Sequence, residues 1–211
     1  MHRLSILLLV AAVTLSLTLP TFAMEDSNEE LELASQYLSS RGIMVGDGEG
    51  NMNFDGPLTR AHLATILSRI HGEHELVENN QEFYVAQCKF LDVPDWAKQY
   101  VGYCSYHGLM VGYGGNMFGA EDHVTPAAAC TVILRYLALP EIEWDYTNAC
   151  NTACDLGLSS PAVSQKVAIS RGDLALMLYR ALTWSNSHEP DDSTEESVSI
   201  SSYKGTTLEV G

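Results

Sequence analysis

Basic residues are scarce. Lys and Arg number 11 against 27 Asp and Glu in 211 residues, a formal charge of −16. Nucleic acid is gripped by clustered cations, so it is not an expected partner. Anionic membrane surface is disfavoured for the same reason. Cysteine is sparse and odd in number, with Cys88, Cys104, Cys130, Cys150 and Cys154. Cys150 and Cys154 lie one helical turn apart but have no second pair at ligand spacing, so no metal site is expected. No Gly-x-Ser-x-Gly occurs, and "HGEHE" (His71–Glu75) lacks zincin spacing. "GYGGNMFG" (Gly112–Gly119) is followed by no Lys-Ser/Thr, which excludes a phosphate loop. No catalytic residue and no cofactor is therefore assigned.

Two stretches differ from the rest. Residues 1–23 have a basic start (His2, Arg3), an apolar run from Ile6 to Val13 and small residues at Thr21 and Ala23, the pattern of a secretory signal cleaved after Ala23. Thr14, Ser16, Thr18 and Pro20 break the run, so no membrane insertion is expected once this segment is removed. Residues 186–211 are acidic and rich in Ser and Thr, which reads as a flexible tail. Export permits disulfides, yet Cys104 and Cys130 fall at apolar positions and read as small core residues.

What the chain does have is a repeat. "LTRAHLATILSRI", "VTPAAACTVILRY" and "ISRGDLALMLYRA" align on Thr59, Thr125 and Ser170. Four positions on stand Leu63, Ala129 and Leu174; seven on, Ile66, Val132 and Met177; eight on, Leu67, Ile133 and Leu178; eleven on, Ile70, Tyr136 and Ala181. This is one helix face, apolar in every copy. Ten positions on stand Arg69, Arg135 and Arg180, read as cations favoured near helix ends. The zero residue is a helix N-cap. Ser170 with Asp173 has the capping-box spacing, and Pro126 takes the first helical position, where its missing N–H costs nothing. Upstream, Gly42, Gly108 and Gly157 each follow a helical segment and read as left-handed C-terminal caps. Each repeat is thus helix, Gly stop, loop and capped helix, over about 28–70, 90–139 and 141–184. One stripe cannot bury itself, so the three are expected to share one domain over 24–185.

These residues resemble the S-layer homology family. The second copy carries Phe90, Asp92, Val93, Trp96, Ala97, Gly108, Leu109, Met110, Gly112, Phe118, Val124 and Thr125 in the family's order. The first has Gly42, Ile43, Met44, Gly46, Phe54, Leu58, Thr59, Arg60 and Ala61, and the third mainly Ile169, Ser170, Arg171, Gly172 and Asp173. The resemblance implies a mostly α fold, in which three tandem helix–loop–helix repeats form one pseudo-threefold spindle around a central three-helix bundle. It implies a secreted bacterial protein held non-covalently at the cell wall by acidic, often pyruvylated, secondary wall polysaccharide. Grooves between repeats would take the sugar, at Arg60, Arg171, Trp96, Thr59, Ser170, Gly46 and Gly112. Departures are plain: Pro126 replaces the helix-start Arg, His62 and Ala128 replace the family's Glu, and the register of Trp96 falls on Glu30 and Asp145.

The residue types suit the chemistry. A helix start offers unpaired N–H groups and a positive dipole end to a carboxylate. An Arg there adds a planar clamp, and an exposed Trp covers a sugar ring. Against this stand two other readings: a structural or protein-interaction scaffold with degenerate grooves, its partner held through the tail, and a small hydrolase using Asp92, Asp95 and Glu121. The loop "GDGEGNMNFDG" (Gly46–Gly56) spaces acids like a calcium loop, but Met52 and Leu58 stand where that loop needs Gly and Glu.

Overall fold

The computed structural model describes residues 22–46, 51–70, 74–140 and 142–187. The proposed leader lies outside the described residues up to residue 21, as does the tail beyond Ser187. The described residues are mostly helical: α1 (Phe22–Ser40), α2 (Arg60–Ile70), α3 (His74–Asn79), α4 (Gln81–Gln87), a 3-10 turn (Asp95–Ala97), α5 (Lys98–Tyr106), α6 (Pro126–Tyr136), α7 (Ala149–Asp155), α8 (Pro161–Ser164) and α9 (Arg171–Ser187). They include no β-strand, only isolated antiparallel bridges such as Pro57 with Ser170 and Thr59 with His123.

Each repeat is built as its sequence spells it. The leading helices α1, α5 and α7 stop at Gly42, Gly108 and Gly157, whose φ values are +66°, +68° and +71°. The residue after each glycine donates to a carbonyl of the last helical turn, with Ile43 on Leu38, Leu109 on Cys104 and Leu158 on Ala153 at 2.8–2.9 Å. A side chain at these positions would be strained by its own backbone. The stripe helices α2, α6 and α9 open on the expected caps: Thr59 Oγ1 accepts from His62 N, Thr125 Oγ1 from Ala128 N and Ser170 Oγ from Asp173 N. Asp173 returns the favour to Ser170 N at 2.8 Å, which closes the capping box.

The apolar stripe is the core. Leu63, Ala129 and Leu174 are wholly buried, and Ile66, Val132, Met177, Leu67, Ile133 and Leu178 are buried beside them. One contiguous cluster takes in side chains from all three copies. The packing is cyclic: each leading helix lies on the stripe helix of another repeat, α5 on α2, α7 on α6 and α1 on α9. A stripe helix therefore depends on its neighbour for burial, as repeat architectures generally do.

The sequence left one feature out. "HGEHE" reads as a polar linker, but His74 begins α3, and α4 follows directly; His71, Gly72 and Glu73 lie outside the described residues. The pair is anchored by Tyr84, which is buried and meets Tyr103 edge-on at 5.4 Å. Too few apolar residues recur in these short helices for periodicity to reveal them. Helix α4 comes close to α5 because Gly102 has no side chain. A Cβ there would stand 1.9 Å from the Tyr84 carbonyl oxygen, a backbone atom that cannot rotate away. Gly102→Ala is expected to lower the unfolding free energy by about 2 kcal/mol or more through overpacking, measured by urea denaturation.

Candidate functional site

The helix starts are joints between repeats. The first backbone N–H groups of α2 leave their own helix: Arg60 N donates to Asp122 O and Ala61 N to Ala120 O, both at 3.0 Å. Helix α9 repeats the arrangement one copy round, with Arg171 N on Gly56 O and Gly172 N on Phe54 O at 3.1 and 2.8 Å. The acceptors stand three and five residues before the zero residue of the neighbouring copy in each case. The donors that the sequence suggested for an acidic ligand are thus engaged by a neighbouring loop. Helix α6 cannot do the same, because Pro126 has no N–H, and the loop it would meet is shortened in the third copy.

The two helix-start arginines reinforce these joints. Arg60 donates from Nε to Phe118 O at 3.0 Å and from Nη2 to Val111 O at 2.7 Å. Its guanidinium also lies over the rings of Phe118 and Tyr113, and the residue is only 8% exposed. Arg171 donates to Met52 O at 3.1 Å and Val45 O at 3.3 Å, again seven and fourteen positions before the neighbour's zero residue. Thr59 and Ser170 act as caps. Gly46 and Gly112 are required by close approach: a Cβ would stand 2.7 Å from Asn51 O and 2.5 Å from Met117 O.

Beside Arg60 a cavity of 450 Å³ opens between repeats. Its walls are Arg60 and Leu63 of α2, the turn Leu109–Val111, the face of α6 bearing Ala128, Thr131, Val132 and Arg135, and the segment Trp144–Tyr146. It is chiefly apolar with a few polar groups, the usual make-up of a small-molecule site. Thr131 is 6% exposed, and its Oγ1 has no hydrogen-bond partner. A buried hydroxyl left unpaired costs about 1–3 kcal/mol, so this one marks a place where a ligand oxygen or water would be favoured. Sequence reading passed over Thr131, whose position six past the cap lies beside the apolar stripe.

The position twelve residues before each cap glycine faces a stripe helix of another copy. In the third copy it is Asp145, in the cavity wall. In the second it is Trp96, 48% exposed, whose ring lies 5.5 Å from that of His62. Burial and the charge of Arg171 lower the pKa of His62, with Glu121 opposing them. In the first copy it is Glu30, whose carboxylate accepts from Arg180 Nε at 2.6 Å and Nη2 at 2.5 Å. This bidentate pair joins α1 to α9. Trp96 and Arg60 are not brought together; Trp96 stands by His62, and Arg60 in the cavity.

The carboxylates considered for hydrolysis have other partners. Asp92 accepts from the backbone N–H groups of Phe118 and Gly119 at 2.8 and 2.6 Å. Burial pushes its pKa up, but those backbone bonds prevail and hold it below the ordinary value. Asp95 pairs with Lys98 at 2.7 Å on the surface. Cys104 and Cys130 are buried with raised pKa values, in both by burial. Among the described residues no group of three His, Cys, Asp or Glu could hold a metal ion; residues 47–50 of the calcium-like loop lie outside them. Among the described residues no helix is long and apolar enough to cross a membrane.

A helical repeat module with capped stripe helices and clefts between copies is the class of protein these features define, and comparison with known proteins puts it among bacterial cell-surface proteins. The chain is an S-layer homology protein: the model of the S-layer homology domain matches residues 36–64 and 89–129, in the first and second copies. It is 31% identical over 162 residues to the cell surface protein of Thermoanaerobacter kivui, covering 74% of this chain and 21% of that protein. It is 26% identical over 186 residues to the middle cell wall protein of Brevibacillus brevis, covering 82% and 17% of the two. A third relative, the surface layer protein of Brevibacillus choshinensis, is 27% identical over 137 residues, covering 61% and 12%. The chain therefore spans about a fifth or less of the length of these relatives.

Two stability measurements check the joints. Arg60→Ala is expected to cost about 3 kcal/mol, because it removes a charged donor and leaves two carbonyls unpaired. Asp92→Asn is expected to cost about 2 kcal/mol at neutral pH, since it breaks charge-assisted bonds. The folded pKa of Asp92 lies below its unfolded value. Its contribution is therefore full above the unfolded pKa of about 4 and fades as pH falls through the folded value. Wild type should lose more stability than the variant over that acid window.

Proposed function

We propose that this chain is a secreted wall-anchoring module, residues 24–185, that binds acidic secondary cell-wall polysaccharide without a covalent bond and catalyses nothing. In this reading the three repeats close as a pseudo-threefold spindle around α2, α6 and α9; the cyclic packing of leading helices on stripe helices supports it. The observation that carries the binding reading is the cavity between repeats with the unpaired Thr131 hydroxyl on its wall. Arg60 and Arg135 supply positive charge there, and Tyr146, 56% exposed, supplies a face for a sugar ring. The relatives are surface-layer and wall proteins, which agrees with an anchoring role. Arg60 and Arg171 contribute chiefly by holding the neighbouring loops in shape, with their remaining N–H groups turned to the ligand.

A second reading, a scaffold with degenerate grooves, is favoured by the third copy, where Pro126 replaces the arginine and Glu30 occupies Arg180. Thr131→Val discriminates between the two. It keeps the shape of the side chain and removes an unpaired hydroxyl, so stability should be unchanged or higher. Sedimentation with purified bacterial cell walls should show binding by the wild type and at least a severalfold loss in Thr131→Val. Equal binding by both would overturn the cavity as the site, and no binding by the wild type would favour the scaffold.

A further inference from the structure

The arginine ten positions past each cap recurs in three different settings. Arg135 lines the cavity together with Arg60. Arg60 is the arginine whose guanidinium holds the Val111 and Phe118 carbonyls of the copy to which Arg135 belongs. Arg171 holds Val45 and Met52, the corresponding carbonyls of the copy to which Arg69 belongs. Arg69 and Arg171 are thus the same pair, one cleft further round. Their nearness shows in their charges, since burial and then Arg69 lower the pKa of Arg171. At the remaining cleft, Arg180 already carries a carboxylate, that of Glu30, in a bidentate grip.

Arg69 differs from Arg180 in one respect. Its Nε is buried and has no hydrogen-bond partner among the described residues. Two guanidinium groups share this cleft, in a protein whose net charge is −16. Glu121 is the acid whose charge is felt at His62 nearby, and Asp95 on the same side is taken by Lys98. A buried guanidinium N–H without an acceptor is costly, and a carboxylate is the acceptor that fits its fork.

We infer that Arg69, with Arg171 beside it, is a carboxylate receptor for the acidic substituent of the wall glycan, and that Glu30 is an internal carboxylate that fills the equivalent place on Arg180. The inference rests on the anchoring reading and assigns to that reading a second contact and a closed third cleft. Protonation of His62, which faces Arg171 from α2 with Trp96 over its ring and Glu121 opposite, adds positive charge to this cleft. Binding there should therefore strengthen as pH falls through the lowered pKa of His62.

Proton–nitrogen spectra of arginine Nε–Hε groups test this directly, on the full chain titrated with sodium pyruvate and, separately, inorganic phosphate. Arg69 should shift with pyruvate, more at acid than at alkaline pH, while Arg180 stays still. In Glu30→Gln, Arg180 should begin to respond. An Arg69 resonance that is indifferent to pyruvate, or that responds to phosphate alone, overturns the inference. In wall sedimentation, Arg69→Gln should bind about tenfold more weakly, with Arg69→Lys recovering part of the loss. Wild-type binding by Arg69→Gln, alongside a deficit in Thr131→Val, would sink this inference and leave the cavity reading standing.

Discussion

The structure turns on how a helix start is satisfied. The first N–H groups of a helix have no partner within it, and in α2 and α9 the loop of the neighbouring repeat supplies the missing carbonyls. Each arginine at the first helical position extends the same joint by two further carbonyls. Because these contacts are backbone to backbone or charge-assisted, they fix distance and rotation between copies more tightly than apolar packing alone. The cavity beside Arg60 exists because the joint holds α2 against the Val111 turn while α6 forms the opposite wall.

The joint also explains why the copies have diverged in the way they have. Helix α6 opens with Pro126 and makes no such contact, so the second copy gives its loop to a neighbour without taking one at this position. At that cleft another device is present, the Glu30–Arg180 pair between α1 and α9. A carboxylate buried against a guanidinium is stabilising only if both are well placed, and the bidentate geometry meets that condition. Three clefts of common origin thus carry three different contents: an open cavity, a cationic pair beside His62 and Trp96, and an ion pair.

Much of this was legible in the residues. The apolar stripe, the three caps, the capping box and the three left-handed glycines all appear where spacing put them, because each depends on residues within one or two turns. Helices α3 and α4 were not legible, since six- and seven-residue helices carry too little periodicity, and their support comes from Tyr84 meeting α5 across Gly102. Among the candidate residues, Trp96 is exposed and Arg60 and Arg171 lie at clefts, but the partners of those arginines are carbonyls more than fifty positions away. Thr131 was missed because a threonine on a helix flank gives no signal until its surroundings are known.

The sequence by itself determined the repeat, its helix boundaries and the face each stripe helix buries, since these follow from local backbone preference and from periodicity of apolar side chains. Only the tertiary structure decided which polar groups are left over. Whether a helix-start N–H, an Arg69 Nε or a Thr131 hydroxyl has a partner depends on atoms contributed by another repeat. Hydrogen bonds are short and directional, so that bookkeeping is settled by the packing of copies and not by the order of residues within one.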